Sequence, residues 1–201
     1  LNGIDTEAYY ADKNVKKVPF RIVTTASADV PLKGLDFLLK AFARIKKVHS
    51  DATLQIIGGS KKGGHTKRLI KKLNIESAIT FNKNLSFKEV RDLYCSADIV
   101  AIPSLYEGFG FAVGEAMACK VPVITTSGGA IPEVIKDCGM IVNPGSSKEL
   151  EEAILKLLPN EDLKNTLAEK GFQRIQKDLQ WKEVAIRATQ MYETEIKRLE
   201  N

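Results

Sequence analysis

Six short runs rich in valine and isoleucine alternate with stretches of helical periodicity, and this alternation constrains the fold more than any other feature of the chain. The runs are FRIVTTA (20–26), TLQIIG (53–58), AITF (78–81), ADIVAIP (97–103), VPVITT (121–126) and GMIVN (139–143). Strands alternating with helices are the signature of βαβ units and a parallel sheet. Near-continuous apolar content further predicts strands covered on both faces. Between the first two runs, Leu35, Leu38, Leu39, Phe42 and Ile45 recur at helical spacing as one apolar stripe. Ser86 with Glu89, and Ser146 with Glu149, have the spacing of capping boxes. From about Asn160 the strands stop, and two long helices finish the chain, the last from Trp181 to Leu199. The expected architecture is α/β: one doubly wound parallel sheet, Rossmann-like, with C-terminal helices.

With 201 residues the chain can bury a substantial core. No apolar run approaches the ~18 residues of a membrane-spanning helix, and no signal-peptide pattern opens the chain. It begins with the turn-forming LNGIDTEAYY, which is expected to be a piece of linker with a partner half upstream. A net charge of +5 is compatible with nucleic acid, an anionic membrane or a phosphate-bearing ligand. The lysines are spread over many helical segments, and no basic run is interleaved with aromatics, so solvated helix faces outweigh a nucleic-acid surface. Cys95, Cys119 and Cys138 form no paired motif and read as small buried hydrophobes in a reducing compartment.

In doubly wound sheets a ligand sits beyond the carboxyl ends of the strands, where the helices begin. Three strand-to-helix junctions are therefore of interest: 27–34, 58–66 and 103–111. All three contain glycine and two contain lysine, which favours a phosphorylated ligand. The second, GGSKKGGHTKR, nearly matches a Walker A loop, but His65 stands where the phosphate-reaching lysine must be, so a nucleoside triphosphatase is rejected. The loop is then either a phosphate contact or solvated. At the first junction Lys33 and Gly34 open a helix, either as a pyrophosphate site or as an ordinary N-terminal turn.

The third junction, SLYEGFGFAVGEAM (104–117), is the informative one. Gly108 and Gly110 allow close approach of a ligand to the backbone, and the following helix start offers unpaired N–H donors. The G-x-G-x-x-x-G spacing misses the dinucleotide fingerprint and lies on a late strand, so a nicotinamide enzyme has weak support. Glu107 precedes the glycines and Glu115 lies about one turn inside the helix. Two carboxylates on either side of a bound pyrophosphate would each accept hydrogen bonds from a vicinal diol, one from a ribose and one from a hexose. A surface loop acid and a helix-dipole partner would explain each acid singly, but not the pair with its glycines between.

EGFGFAVGEAMA resembles the E-x7-E motif of retaining glycosyltransferases of the two-domain Rossmann type, GT-B, specifically family 4. The resemblance covers nearly the whole chain: NGID (2–5) is similar to the interdomain linker, PLKG (31–34) to the lysine loop and IIGG (56–59) to the second junction. PSLYEGFG, EAMACKVPVITTSGGAIPEVI and the final helix follow in family order. The resemblance implies an interdomain linker at 1–18, a nucleotide-sugar-binding domain at 19–178 and, at 179–201, a helix that packs on the absent N-terminal half. It implies that Glu115 holds the ribose and Glu107 the hydroxyls of the donor sugar. Phe109, Gly110 and Phe111 would lie against sugar and pyrophosphate, Lys33 would neutralise the departing diphosphate, Gly58 and Gly59 would pass close to the phosphates, and the segment from Phe81 to Leu85 would line the base. No metal or other cofactor is expected, and no Asp-x-Asp pair argues for one. The acceptor site belongs to the absent half, so the isolated chain is expected to bind donor and to be inactive in transfer. Many members carry glycine–arginine before the lysine loop. Ser27 and Ala28 stand at those positions here, with Lys61 and Lys62 as candidates to compensate. The expected location is cytoplasmic or peripheral at the inner face of the membrane, with any membrane association made through the absent half. A sugar-nucleotide epimerase, a non-catalytic sugar-nucleotide-binding subunit and, more remotely, a nucleic-acid module are the alternatives.

Overall fold

The computed structural model of the protein describes residues 2–26 and 29–199. Six parallel strands form one sheet: β1 (Arg21–Thr25), β2 (Thr53–Ile57), β3 (Ile79–Asn82), β4 (Ile99–Ile102), β5 (Val123–Thr126) and β6 (Met140–Val142). Their spatial order is β3-β2-β1-β4-β5-β6, so the direction of winding reverses between β1 and β4. Ile22 marks the reversal, pairing with Leu54 on one side and Ile99 on the other. Every residue of β4 and β5 is buried, as their unbroken apolar runs require.

On one face lie α1 (Leu35–Val48), α2 (His65–Leu73) and α6 (Ser147–Leu157), and the predicted stripe of α1 is buried there. The other face carries α3 (Phe87–Ser96), α4 (Phe111–Ala118), α5 (Ile131–Ile135) and a π-helical turn, Ile175–Leu179. That turn joins α7 (Glu161–Arg174) to α8 (Trp181–Leu199). Ser86 and Glu89 make a complete capping box on α3. At α6 only half of the expected box forms. Ser146 accepts from the Glu149 N–H, but the Glu149 carboxylate instead takes the backbone N–H and side-chain amide of Asn143, at 2.9 and 3.0 Å.

The opening segment lies along the second face. The Ile4 N–H donates to the Leu179 carbonyl at 2.6 Å, and the Ile4 side chain sits where a Cβ on Gly114 would come within 2.4 Å of it. Tyr9 is buried beside Tyr94, and Arg91 reaches across to donate to the Tyr10 hydroxyl at 2.6 Å. By contrast, α8 buries no residue, and Trp181, Ile186, Met191 and Tyr192 are all exposed. All three cysteines are buried and free. Among the described residues no helix is long and apolar enough to cross a membrane.

Candidate functional site

Because the winding reverses between β1 and β4, the loops that leave these two strands meet. The Leu105 N–H donates to the Leu32 carbonyl at 2.8 Å, tying them together. The first loop ends in a short 3-10 turn, Pro31–Lys33, and then Gly34 with a left-handed φ of 64°. A Cβ on Gly34 would lie 2.0 Å from the Pro103 carbonyl oxygen, so only glycine lets the two backbones approach this closely. That approach sets Lys33 over the second loop, where its Nζ lies 2.8 Å from Glu107 Oε1. The same carboxylate oxygen accepts from the Ser104 hydroxyl at 2.7 Å. Ser104 is itself fully buried, and its carbonyl accepts from Thr126 Oγ1. The Ala130 N–H donates to the Glu107 carbonyl at 2.9 Å, so the neighbouring β5–α5 loop pins the backbone as well. Glu107 is therefore held by one cation, one hydroxyl and one backbone bond.

After Glu107 the chain passes through Gly108, whose outer side is open, to Gly110, which caps α4 at φ 95°. No side chain caps this helix start; the Val113 N–H bonds the Gly110 carbonyl at 3.0 Å, so the N–H groups of Phe111 and Ala112 are those that a helix start offers to an anion. Phe109 is buried, whereas Phe111 is half exposed, and the two rings meet edge to face at 4.8 Å between centroids. Deeper in α4, Glu115 Oε2 accepts from the Tyr94 hydroxyl at 3.3 Å. Burial pushes the Glu115 carboxyl above its usual range, and the Tyr94 bond opposes that shift only in part.

Gly58, Gly59 and Leu85 line a recess of about 310 Å³ at the carboxyl ends of β2 and β3, together with Ile57, Asn82 and Val90. The Gly58 N–H is spent on the Asn82 carbonyl at 2.9 Å, which holds the two strand ends together. In the rest of the second junction Lys61 and Lys62 are exposed, and the helix start meets an acid that neither sequence reading included. Asp29 crosses to the start of α2, where its carboxylate accepts from the Thr66 N–H at 3.0 Å and the Lys61 N–H at 3.4 Å. The Thr66 backbone bond holds the Asp29 carboxyl below its ordinary range. An internal acid thus sits at this helix start. His65 turns away as well and pairs with Asp36 at 2.6 Å. Ser27 and Ala28, where the sequence lacks the expected glycine–arginine, lie outside the described residues.

A family model for glycosyl transferases group 1 matches residues 9–174. The chain belongs to that family. A relative in Mycolicibacterium hassiacum, MMP alpha-(1->4)-mannosyltransferase, is 36% identical over 98% of this chain and 48% of its own length. The C-terminal domain of a glycosyl transferase group 1 family protein, LpcC, from Francisella tularensis superposes with a TM-score of 0.78 and 26% identity, covering 89% of this chain and 99% of that one. Anabaena HepE, solved in complex with UDP-glucose, shares the fold at a TM-score of 0.83 and 20% identity, over 96% of this chain and 56% of that one. This chain spans about half the length of the curated relatives it matches. The Rossmann-like sheet predicted from the sequence is that of a group 1 C-terminal domain.

Sequence reasoning named the two acids and the lysine but missed the groups that hold them. Ser104 stood inside a quoted motif without a role, and Asp29 sat in the first junction unremarked. Tyr94 and Thr25 carried no signal beyond lying on a helix and a strand.

Proposed function

We propose that this chain is the donor-binding half of a glycosyltransferase that transfers a sugar from a nucleotide-diphosphate sugar with retention of anomeric configuration. The observation that carries the reading is the meeting of Lys33 and Glu107 beside the uncapped start of α4, with Glu115 half-buried in the same helix. In this reading the Gly58–Leu85 recess takes the base, and Glu115 accepts from the ribose hydroxyls. The α4 N–H groups and Lys33 take the diphosphate, an electrostatic contribution that grows as leaving-group charge develops. Lys33 then exchanges its bond to Glu107 for one to phosphate, which frees Glu107 Oε1 for the hydroxyls of the transferred sugar. The acceptor would enter from an N-terminal half outside this chain and attack on the face from which the diphosphate departs. The UDP-glucose bound by HepE supports the donor class.

The test is an NMR titration of the chain with UDP, GDP and ADP. The expected result is that the amides of Gly58, Gly59 and residues 108–111 shift together with one of the three nucleotides. Shifts confined to other surfaces, or none at millimolar concentration, would overturn the reading.

A further inference from the structure

Tyr94 is among the largest fully buried side chains of the protein, yet it is a tyrosine and not a phenylalanine. Its hydroxyl is committed on both sides: Thr25 Oγ1 lies 2.6 Å away and Glu115 Oε2 3.3 Å away. An ionised carboxylate only accepts, so the phenolic proton points at Glu115 and the Thr25 hydroxyl must donate to the phenolic oxygen. The result is a directional chain from the carboxyl end of β1, through α3, to the acid in α4. Three elements separated by long stretches of sequence are joined at one atom.

We propose that the Thr25–Tyr94 hydroxyl pair is a positioning device that orients the Glu115 carboxylate for a ribose diol, so that nucleotide recognition at this site depends on a buried tyrosine that itself touches no ligand. The proposal rests on the reading of Glu115 as the ribose acceptor. With Oε2 held by Tyr94, the plane of the carboxylate is set, and Oε1 keeps its lone pairs for a ligand hydroxyl. A phenylalanine would fill the same volume but leave the carboxylate free to rotate. The aromatic ring packs between Tyr9 and the α3–α4 interface, so the device is rigid on the side away from the ligand.

The titratable groups facing Glu115 are Tyr94, Tyr9 and Cys119, all neutral below pH 8. The terminal phosphate of the nucleotide also titrates, near pH ~6, so Glu115 is read from the difference in acid limb between the ribonucleotide and its dideoxy analogue, which share that phosphate. The Tyr94 hydrogen bond favours the charged carboxylate, so its loss moves that limb to higher pH.

The experiment is calorimetric titration of the parent chain, Tyr94→Phe, Thr25→Val and Glu115→Ala with whichever of UDP, GDP and ADP binds, and with its 2′,3′-dideoxy analogue. Tyr94→Phe is expected to weaken the ribonucleotide about tenfold, as for a lost hydrogen bond to a charged group, while changing the dideoxy analogue less than about twofold. Its acid limb should also move upward in pH. Thr25→Val should act in the same direction, about threefold, and decides the matter if Tyr94→Phe does not fold. Equal losses for both ligands, or parental affinity with an unmoved acid limb, would overturn the positioning role. If Glu115→Ala loses the ribonucleotide selectively while neither hydroxyl variant does, the ribose reading stands and only this inference falls. If Glu115→Ala treats both ligands like the parent, or no nucleotide binds, the ribose reading itself falls and takes this inference with it.

Discussion

Replacing Lys33 by alanine separates a structural lysine from a functional one. In the free protein its ammonium is paired with Glu107 at 2.8 Å, and the two side chains are 35% and 19% exposed. A pair this open to solvent contributes at most ~1 kcal/mol to folding. Glu107 keeps the Ser104 hydroxyl and its backbone bond to Ala130 after the substitution, so the loop remains in place. Lys33→Ala should accordingly lower stability in urea by less than ~1 kcal/mol. A charge-assisted hydrogen bond to a diphosphate is worth about 1.5–3 kcal/mol, so nucleoside diphosphate affinity should fall by roughly ten- to a hundredfold. The corresponding nucleoside, which has no phosphate, should be unaffected. Titration of both ligands alongside chemical denaturation of the same variant supplies all three numbers. A large loss of stability with unchanged diphosphate affinity would refute the reasoning and make Lys33 a tether for the Glu107 loop.

Further predictions concern the scaffold around the site. Gly34→Ala combines a φ of 64° with a Cβ 2.0 Å from the Pro103 carbonyl, and should cost at least ~2 kcal/mol in chemical denaturation; a neutral result would contradict the packing of the two loops. Lys164, whose side chain is only 4% exposed, donates to Asp98 at 2.6 Å, and Asp98 also accepts from the Phe20 N–H. Lys164→Met should destabilise by up to ~3 kcal/mol because it removes the bonded cation from that carboxylate and leaves only the attraction of Lys17, and the loss should shrink in the Lys164→Met, Asp98→Asn double variant. Burial of Lys164 works against its charge, but the bonds to Asp98 and Glu161 outweigh it and raise the pKa above 10.5. This contribution to stability is therefore complete below the unfolded lysine pKa and is lost as pH rises through the higher folded value, which alkaline melting curves of parent and variant will reveal.

The sheet was legible because parallel strands covered on both faces leave an unmistakable apolar run, and the helix at α1 because its five stripe residues fall on one face. The glycine-flanked acids were legible for a related reason: Glu107 and Glu115 lie in one continuous stretch, so their spacing survives in the sequence. What supports them does not. Ser104, Thr25 and Tyr94 reach the acids only through the topology that brings β1, α3 and α4 together, and a side chain contributing one hydroxyl across a long loop has no periodic signature. The start of α2 was left open between a phosphate contact and a solvated loop for a similar reason. Its lysines and glycines suggested an anion site, but Asp29, more than thirty residues earlier, already supplies the anion. The half-formed capping box at α6 shows the same limit on a smaller scale, since Asn143 competes successfully for Glu149.

If Glu115 and Lys33 grip the two ends of a nucleoside diphosphate, calorimetric titration of the chain and of Glu115→Ala with UDP, GDP and ADP will show it. One nucleotide is expected to bind, and the variant to lose most of that affinity while keeping its fold. A variant that binds as well as the parent would contradict it, and would make Glu115 a residue of helix α4 and nothing more.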